Sequence, residues 1–262
     1  MSRDDETDTK TIVDRSIQVT LPASTYSTPS VLAGCTPQLE RLHRLHGTSL
    51  LAHATFLLRS SPSTFPTACT IFHRFYHRCS LQQYDVWSAC LGITMLACKI
   101  EEDMRPAHDV ILIFIQIYRR LRLGLHLDYD YDDDNESMEP NPIGFIPSRS
   151  DLLHQQHNGK RLTHEEKCNI LRYIKPLLKD GPVYTEWREK LESMENIILR
   201  ELGFTLFWIP SSHPHNFLLY FIRVLEIEEE KIIGQISWSY CNDSYRIDLS
   251  VRYEPEIIVS II

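Results

Sequence analysis

Residues 86–100 form the segment that most constrains how this chain can fold. Apolar side chains recur there with the 3.6-residue period of an α-helix, and further apolar residues widen the stripe around most of the circumference. The stripe consists of Val86, Cys90, Ile93, Ala97 and Ile100, widened by Ala89 and Leu96. A helix that is apolar on nearly every side is normally surrounded by other helices. The segment therefore predicts a helical bundle built around it.

Helical periodicity continues on both sides of this central segment. Further helices are predicted to begin near Gln38, Pro66, Pro106, Thr163, Thr185, Pro214 and Pro255, with Gly203 as a C-terminal stop. The predicted inward faces include Leu42, Leu45, Ser49, Ala52 and Phe56 in the first helix, and Phe72, Phe75 and Tyr76 in the second. The helical run that starts at Pro214 contains the apolar residues Phe217, Phe221 and Val224, followed by Ile232, Ile236 and Tyr240. No stretch alternates convincingly with the period of a strand. The predicted fold class is all-α, with one complete bundle followed by a shortened one.

Composition divides the chain into three regions. Residues 1–35 are polar and rich in Ser, Thr and Pro, which is typical of a flexible arm. Residues 36–208 are predicted to hold the first bundle, interrupted at about 126–160 by a strongly acidic, Pro-containing surface insertion. Residues 209–262 are predicted to hold the partial second bundle, which would leave apolar side chains exposed at Ile257, Ile258 and Ile261.

The charge balance argues against a nucleic-acid ligand. The chain has 35 acidic and 27 basic residues, a formal charge of −8, and its basic clusters are short. Those clusters are Arg119, Arg120 and Arg122, and Lys160 with Arg161. The seven cysteines form no C-x-x-C pair and several lie in apolar helical patterns, which indicates reduced, buried thiols. With a polar N-terminus and no long apolar run, the sequence predicts a soluble intracellular protein without a membrane partner.

Motifs of enzymatic chemistry are absent from the sequence. It contains no phosphate-binding glycine loop, no H-R-D triplet and no G-x-S-x-G elbow, so we expect no catalytic residue, no small-molecule substrate and no cofactor. His73 and His77 lie four residues apart near Cys79, which superficially suggests zinc. However, Arg74 stands where a zinc protease motif requires Glu, and no second ligand cluster follows. We therefore expect surface or half-buried histidines and no metal.

Three blocks in register carry a more specific signal. They are Phe72-His73-Arg74-Phe75-Tyr76, then Leu96-Ala97-Cys98-Lys99-Ile100-Glu101-Glu102, and finally Leu199-Arg200-Glu201-Leu202-Gly203-Phe204 preceded by Met194-Glu195. Together they resemble the cyclin box, a five-helix module, and the details resemble the transcriptional cyclins, cyclin L most of all; cyclins K, T and C are more distant. The resemblance covers about residues 27–262 without the acidic insertion. It implies a complete first cyclin box and a truncated second one.

The resemblance also implies a function and the residues that carry it. In cyclins, a Lys and a Glu at the positions of Lys99 and Glu195 hydrogen-bond the αC-helix region of a cyclin-dependent Ser/Thr kinase. Apolar residues at the positions of Ile100, Leu199, Phe204 and Leu206 pack against that helix. The expected function is therefore that of a nuclear regulatory subunit which activates such a kinase in RNA polymerase II transcription, and in pre-mRNA splicing. The chain itself would not be an enzyme.

Two other classes remain open on the sequence alone. One is a general transcription factor of the same fold that binds DNA, against which the acidic charge argues. The other is a scaffold that keeps the fold without activating a kinase, against which the presence of Lys99 and Glu195 argues. The residues do not identify the kinase or its substrates.

Overall fold

The computed structural model describes residues 27–122, 181–204, 213–226 and 231–262, together with residues 163, 165, 166, 168, 169, 179, 206 and 209. All regular secondary structure in these residues is helical, as predicted. The helices are α1 Pro29–Leu32, α2 Pro37–Leu57, α3 Thr64–Arg78, α4 Val86–Ile100, α5 Ala107–Arg122, α6 Pro182–Glu201, α7 Pro214–Val224, α8 Lys231–Ser244, α9 Leu249–Arg252 and α10 Pro255–Ile261.

Helix α4 occupies the centre of the first group of helices, as its apolar circumference predicts. It begins after Asp85, whose carboxylate accepts a hydrogen bond of 2.9 Å from the backbone N–H of Ser88. It packs against α2, α3, α5 and α6, and every one of its residues from Val86 to Cys98 except Ser88 is buried. Burial on all sides explains why this segment carries almost no polar side chain before its last turn.

The predicted inward face of α2 is wrong. The face that is buried is rotated about the helix axis relative to the predicted one. The buried residues include Gly47, Leu50, Leu51 and Ala54, whereas Phe56 is 80% exposed. Apolar residues occur on both faces of this helix, so their spacing could not decide between them. Packing against α3 determines which face is buried, because a side chain at Gly47 would overlap the ring of Phe72. Glycine at this position lets α2 lie directly against α3.

Helices α7, α8 and α10 form a second group with a small core of their own, made of Leu218, Cys241 and Val259. Of the apolar residues that mark this run in the sequence, Phe217 and Phe221 pack against this core, whereas Val224, Ile232, Ile236 and Tyr240 are exposed. The more buried side of α8 instead carries Gly234, Ser237 and Cys241. Such small side chains allow the neighbouring helices to approach closely. At the chain end Ile257 and Ile261 are exposed as predicted, but Ile258 is buried.

Part of the predicted N-terminal arm is packed against the first group. Helix α1 contacts α2 and α3, and the hydroxyl of the buried Ser30 accepts a 3.0 Å hydrogen bond from the backbone N–H of Leu81. The structure therefore differs from a flexible arm at residues 27–35. Residues 1–26 and the acidic insertion predicted at about 126–160 lie outside the described residues.

Several local predictions are confirmed. Thr163 and Glu166 form the predicted capping box, with reciprocal backbone-to-side-chain hydrogen bonds of 2.8 and 3.3 Å. Phe72, Phe75 and Tyr76 are fully buried in the core. All seven cysteines are free thiols, and five of them are buried. A separate observation, made only on the described part of the chain, is that none of its helices is long and apolar enough to cross a membrane.

Candidate functional site

Lys99 and Glu195 meet on the surface where α4 ends beside α6. The Nζ of Lys99 donates a hydrogen bond to Oε1 of Glu195, although 96 residues separate them in sequence. The Lys99 side chain is 40% exposed and that of Glu195 is 14% exposed. The ion pair is therefore partly open to water, and one ammonium group has further donors available to a partner.

Close packing of α4 on α6 brings the two charges together. A Cβ atom at Gly92 would lie 3.1 Å from the backbone nitrogen of Glu195 and 3.0 Å from Cβ of Met194. The absence of a side chain at Gly92 therefore lets the α6 backbone approach α4 at the residue that carries the site carboxylate. Leu191, Met194 and Ile198 complete the buried contact on the α6 side.

Both site helices end in a Schellman motif, in which a residue in the left-handed conformation closes the last turn. In α4 this residue is Glu102, with φ of +54°, and the N–H of Asp103 donates to the carbonyl of Cys98 at 2.9 Å. In α6 it is Gly203, with φ of +74°, as the sequence predicts from this glycine. These closures define the direction in which the chain leaves the site.

The four predicted apolar site residues divide into two kinds. Ile100, Leu199 and Leu206 are half-buried and pack against the main core. Phe204 is 68% exposed, and its backbone is left-handed with φ of +56° while its N–H donates to the carbonyl of Leu199 at 2.8 Å. The structure thus places one exposed aromatic ring next to the end of α6, and gives the other three residues a role in the core.

A polar cluster anchors the end of α4 to the second group of helices. The hydroxyl of Thr67 on α3 donates to Oε1 of Glu101, the residue that caps α4. Nε2 of His213, just before α7, lies 3.1 Å from the Thr67 hydroxyl and 3.7 Å from Oε1 of Glu101. The hydroxyl of Tyr245 lies 3.4 Å from Nδ1 of His213.

Electrostatics within this cluster favour the ionised carboxylate. Burial alone would raise the pKa of Glu101, but hydrogen bonds from Ser63 and Thr67 and the nearby His213 outweigh it, so its pKa is lowered. Burial lowers the pKa of His213, and Glu101 opposes that shift only in part. Sequence reasoning did not find this cluster, because Thr67 and His213 are separated by 146 residues and neither belongs to a local motif with Glu101.

His73 is completely buried, so the expectation of a surface or half-buried residue is wrong for it. Its Nε2 lies 3.0 Å from the carbonyl oxygen of Tyr245 and therefore donates to it. Its Nδ1 lies 3.5 Å from Nη1 of Arg44 and can accept from it. Burial, assisted by the Arg44 charge, lowers the pKa of His73 to about 3, so the ring is neutral at physiological pH.

His77 joins the same two groups of helices through a different contact. Its Nε2 lies 3.0 Å from Oδ2 of Asp248, which also accepts from Nη2 of Arg252 at 2.8 Å. Both histidines of the suggested zinc pair thus have partners that connect α3 to residues 245–248. Among the described residues, no group of three or more His, Cys, Asp or Glu could hold a metal ion.

The fold has a counterpart among solved structures. It is similar to a chain in the crystal structure of the yeast RNA Pol II CTD kinase CTDK-1 complex, with a TM-score of 0.57 at 10% identity. The similarity covers 87% of this chain and 56% of that one. The predicted all-α cyclin fold is thereby confirmed.

Sequence relatives make the resemblance more specific. The chain is 29% identical to Cyclin-L1 of Gallus gallus and 28% identical to Cyclin-L2 of Homo sapiens, each over 231 residues, or 88% of this chain and 34% of the relative. It is 28% identical to Cyclin-L1 of Danio rerio over 232 residues. The resemblance to the cyclin family, and to cyclin L within it, is confirmed. The chain spans about a third of the length of these relatives, and no family model matches it.

Proposed function

We propose that this chain is a regulatory subunit that binds and activates a cyclin-dependent Ser/Thr protein kinase. The observation that carries the proposal is the partly exposed ion pair between Lys99 and Glu195, at positions where the cyclin resemblance expects the kinase contacts. In this proposal residues 36–208 correspond to the first cyclin box and residues 209–262 to part of the second.

The chemistry of the pair suits recognition of a partner's backbone. The ammonium of Lys99 has three donors and uses one for Glu195, and the carboxylate of Glu195 has a second oxygen. Unsatisfied backbone groups at the end of a partner helix are ready acceptors and donors for such charges. The pair would then determine the register of the kinase αC helix against the end of α4.

The exposed ring of Phe204 supplies the apolar part of the proposed interface. Aromatic side chains that become buried at a partner's surface often contribute most of the binding free energy. At 68% exposure, the Phe204 ring has most of its surface still to bury. Ile100, Leu199 and Leu206 would contribute their solvent-accessible atoms to the interface. Their packing against the core would keep this surface rigid.

Activation requires no catalytic residue in this chain. A kinase orients the phosphates of ATP when the Glu of its αC helix pairs with the Lys of strand β3. A partner that binds αC only in the inward position selects that active conformation. Because the relatives are L-type cyclins and the structural neighbour comes from an RNA Pol II CTD kinase complex, we propose a nuclear role in RNA polymerase II transcription, with pre-mRNA splicing as a related process.

The test is purification of the tagged chain from its own cells, followed by a kinase assay on a polymerase II tail peptide. We expect a kinase to co-purify, and the double variant Lys99→Ala/Glu195→Ala to lower the recovered activity by about ten-fold or more. The matched control is Arg188→Ala/Glu192→Ala, which removes another ion pair of α6 with N–O distance 2.8 Å and both side chains more than half exposed. The control should recover full activity.

Three results would contradict the proposal. Equal recovery with both double variants would remove Lys99 and Glu195 from the interface. Recovery of a kinase whose activity the chain does not raise would favour a scaffold. A salt-dependent complex with duplex DNA, formed without any kinase, would favour the general transcription factor.

A further inference from the structure

A groove of about 690 Å³ lies on a part of the molecule that the proposed kinase interface does not use. Its walls come from α2, from the end of α3, and from the connection between α8 and α9. Residues from the N-terminal segment, including Thr28 and Val31, close one side. Neither Lys99 nor Glu195 nor any of the predicted apolar site residues lines it, so the groove does not overlap the residues of the proposed kinase contact.

Arginine is the most frequent residue in the lining. Arg41 and Arg44 come from α2, Arg246 from the α8–α9 connection, and Arg252 from the end of α9. We call this site, lined by these four residues, the arginine groove. It is a local concentration of positive charge on a chain whose formal charge is −8. An anion within a few ångströms is attracted to it, because the concave walls focus the field of the guanidinium groups.

The two carboxylates of the groove already have partners of their own. Glu40 accepts from Nη2 of Arg44 at 2.8 Å and also accepts from the hydroxyl of Thr28. Asp248 accepts from Arg252 and lies 3.0 Å from His77, and these contacts lower its pKa in spite of its burial. Both carboxylates are already bound to groups in the walls of the groove. Neither of them therefore neutralises Arg41 or Arg246.

Arg41 and Arg246 therefore provide the charge that a ligand can use. Arg41 is exposed and has no ion pair among the described residues. Arg246 pairs with Asp243 at 3.0 Å, but their side chains are 44% and 61% exposed. Water screens an ion pair of this kind, so it adds little stability and an incoming carboxylate can replace it at small cost. Guanidinium groups bind carboxylates through paired hydrogen bonds.

Apolar side chains stand beside these charges. Val31, Leu45 and Ile247 line the groove, and Ile247 is 41% exposed. A ligand that fits must combine carboxylates with an apolar group over a short length. A long nucleic acid does not meet this description, because the chain carries a formal charge of −8, which disfavours binding of a polyanion.

We propose that the arginine groove binds an acidic linear peptide of a partner protein. Carboxylates of the peptide pair with Arg41 and Arg246, and an apolar side chain of the peptide lies on Val31, Leu45 and Ile247. The volume suits a few residues of extended chain, as in other small ligand sites. Charge complementarity selects the peptide, and the apolar contacts determine its position in the groove.

The test uses the full chain and a short fluorescein-labelled peptide in which Glu and Leu alternate. Fluorescence anisotropy should show saturable binding that weakens as salt is added, and a control peptide with Gln in place of Glu should not bind. Arg41→Glu and Arg246→Glu should each weaken binding by about ten-fold or more. Arg188→Glu, at an exposed arginine of α6 outside the groove, should leave it unchanged.

Four outcomes would overturn the proposal. They are no saturable binding of the Glu peptide, equal binding of the Gln peptide, unchanged affinity in Arg41→Glu, and tighter binding of single-stranded RNA that the same variants abolish. Arg41 is exposed on α2, so its variant reports on the site even if Arg246→Glu fails to fold. None of the variants alters Lys99 or Glu195, so the result does not depend on the kinase proposal.

Discussion

Gly92 shows how a single residue positions the candidate site. The helix propensity of Ala exceeds that of Gly by about 1 kcal/mol, so Gly92→Ala would stabilise an isolated helix. In the folded chain, however, its Cβ would lie 3.0–3.1 Å from Met194, Glu195 and Ile198. Overpacking of this kind costs about 1–3 kcal/mol. We expect a net loss of about 1 kcal/mol in the free energy of unfolding, measured by urea denaturation.

Gly234 provides the matched control within α8. A Cβ there would meet only Cδ1 of Ile222, at the ordinary contact distance of 3.9 Å. Gly234→Ala should therefore raise the free energy of unfolding by up to about 1 kcal/mol through helix propensity alone. If both variants stabilise the chain equally, the close approach at Gly92 does not limit how α6 packs on α4.

At the scale of elements, a cluster of hydrogen bonds connects α3, the end of α4 and the start of α7. Its contribution to stability leads to a specific prediction. Thr67 is fully buried, and its hydroxyl links Glu101 to His213. Thr67→Val keeps the shape of the side chain but leaves the carboxylate of Glu101 without that donor. We expect a loss of about 1–3 kcal/mol in the free energy of unfolding, measured by chemical denaturation.

Thr70 on the same helix separates this effect from the general cost of removing a buried hydroxyl. It is 2% exposed, and its hydroxyl donates at 2.9 Å to the carbonyl of Pro66 within α3. Thr70→Val should cost less than about 1 kcal/mol, because that carbonyl keeps its helical hydrogen bond. A double-mutant cycle of Thr67→Val with His213→Ala should show coupling; additive effects would mean that the two residues act independently.

At the scale of the whole molecule, the buried histidine that joins the two groups of helices predicts how stability depends on pH. Arg44, His77, Asp248 and the Tyr245 carbonyl are the charged and polar groups around His73, and burial with Arg44 lowers its pKa to about 3 in the folded chain. The ordinary pKa of a His in the unfolded chain is about 6.5. Below that pH, His73 binds a proton in the unfolded state but not in the folded state. The free energy of unfolding therefore falls as the pH falls.

The expected loss from His73 is about 1.4 kcal/mol between pH 7.5 and pH 5.5, measured by urea unfolding at both values. His73→Gln keeps a donor for the Tyr245 carbonyl and should lose less stability over the same interval. Between pH 7.5 and pH 9.0, where the unfolded His does not change its charge, the two proteins should respond alike. The same pH response of both proteins below pH 7.5 would contradict the assignment.

Local chemistry determined much of this protein from the sequence alone. The apolar circumference of residues 86–100 requires neighbours on every side, whatever those neighbours are, so the central helix and the all-α class could be predicted. Helix starts at Pro214 and Pro255 and the stop at Gly203 depend on backbone restrictions of single residues. The three blocks of the cyclin resemblance are also local in sequence, and they predict Lys99 and Glu195 as site residues. The structure shows that the two side chains are in contact.

Only the tertiary structure decided the features that depend on pairs of distant residues. Both faces of α2 carry apolar residues, and the closeness of Gly47 to Phe72 selected one of them. The burial of His73 depends on a carbonyl at residue 245, and the arginine groove gathers side chains from positions 41 and 246. Periodicity reports which side of a helix is apolar, but it carries no information about which distant side chain will lie against it. That juxtaposition arises only when the helices pack.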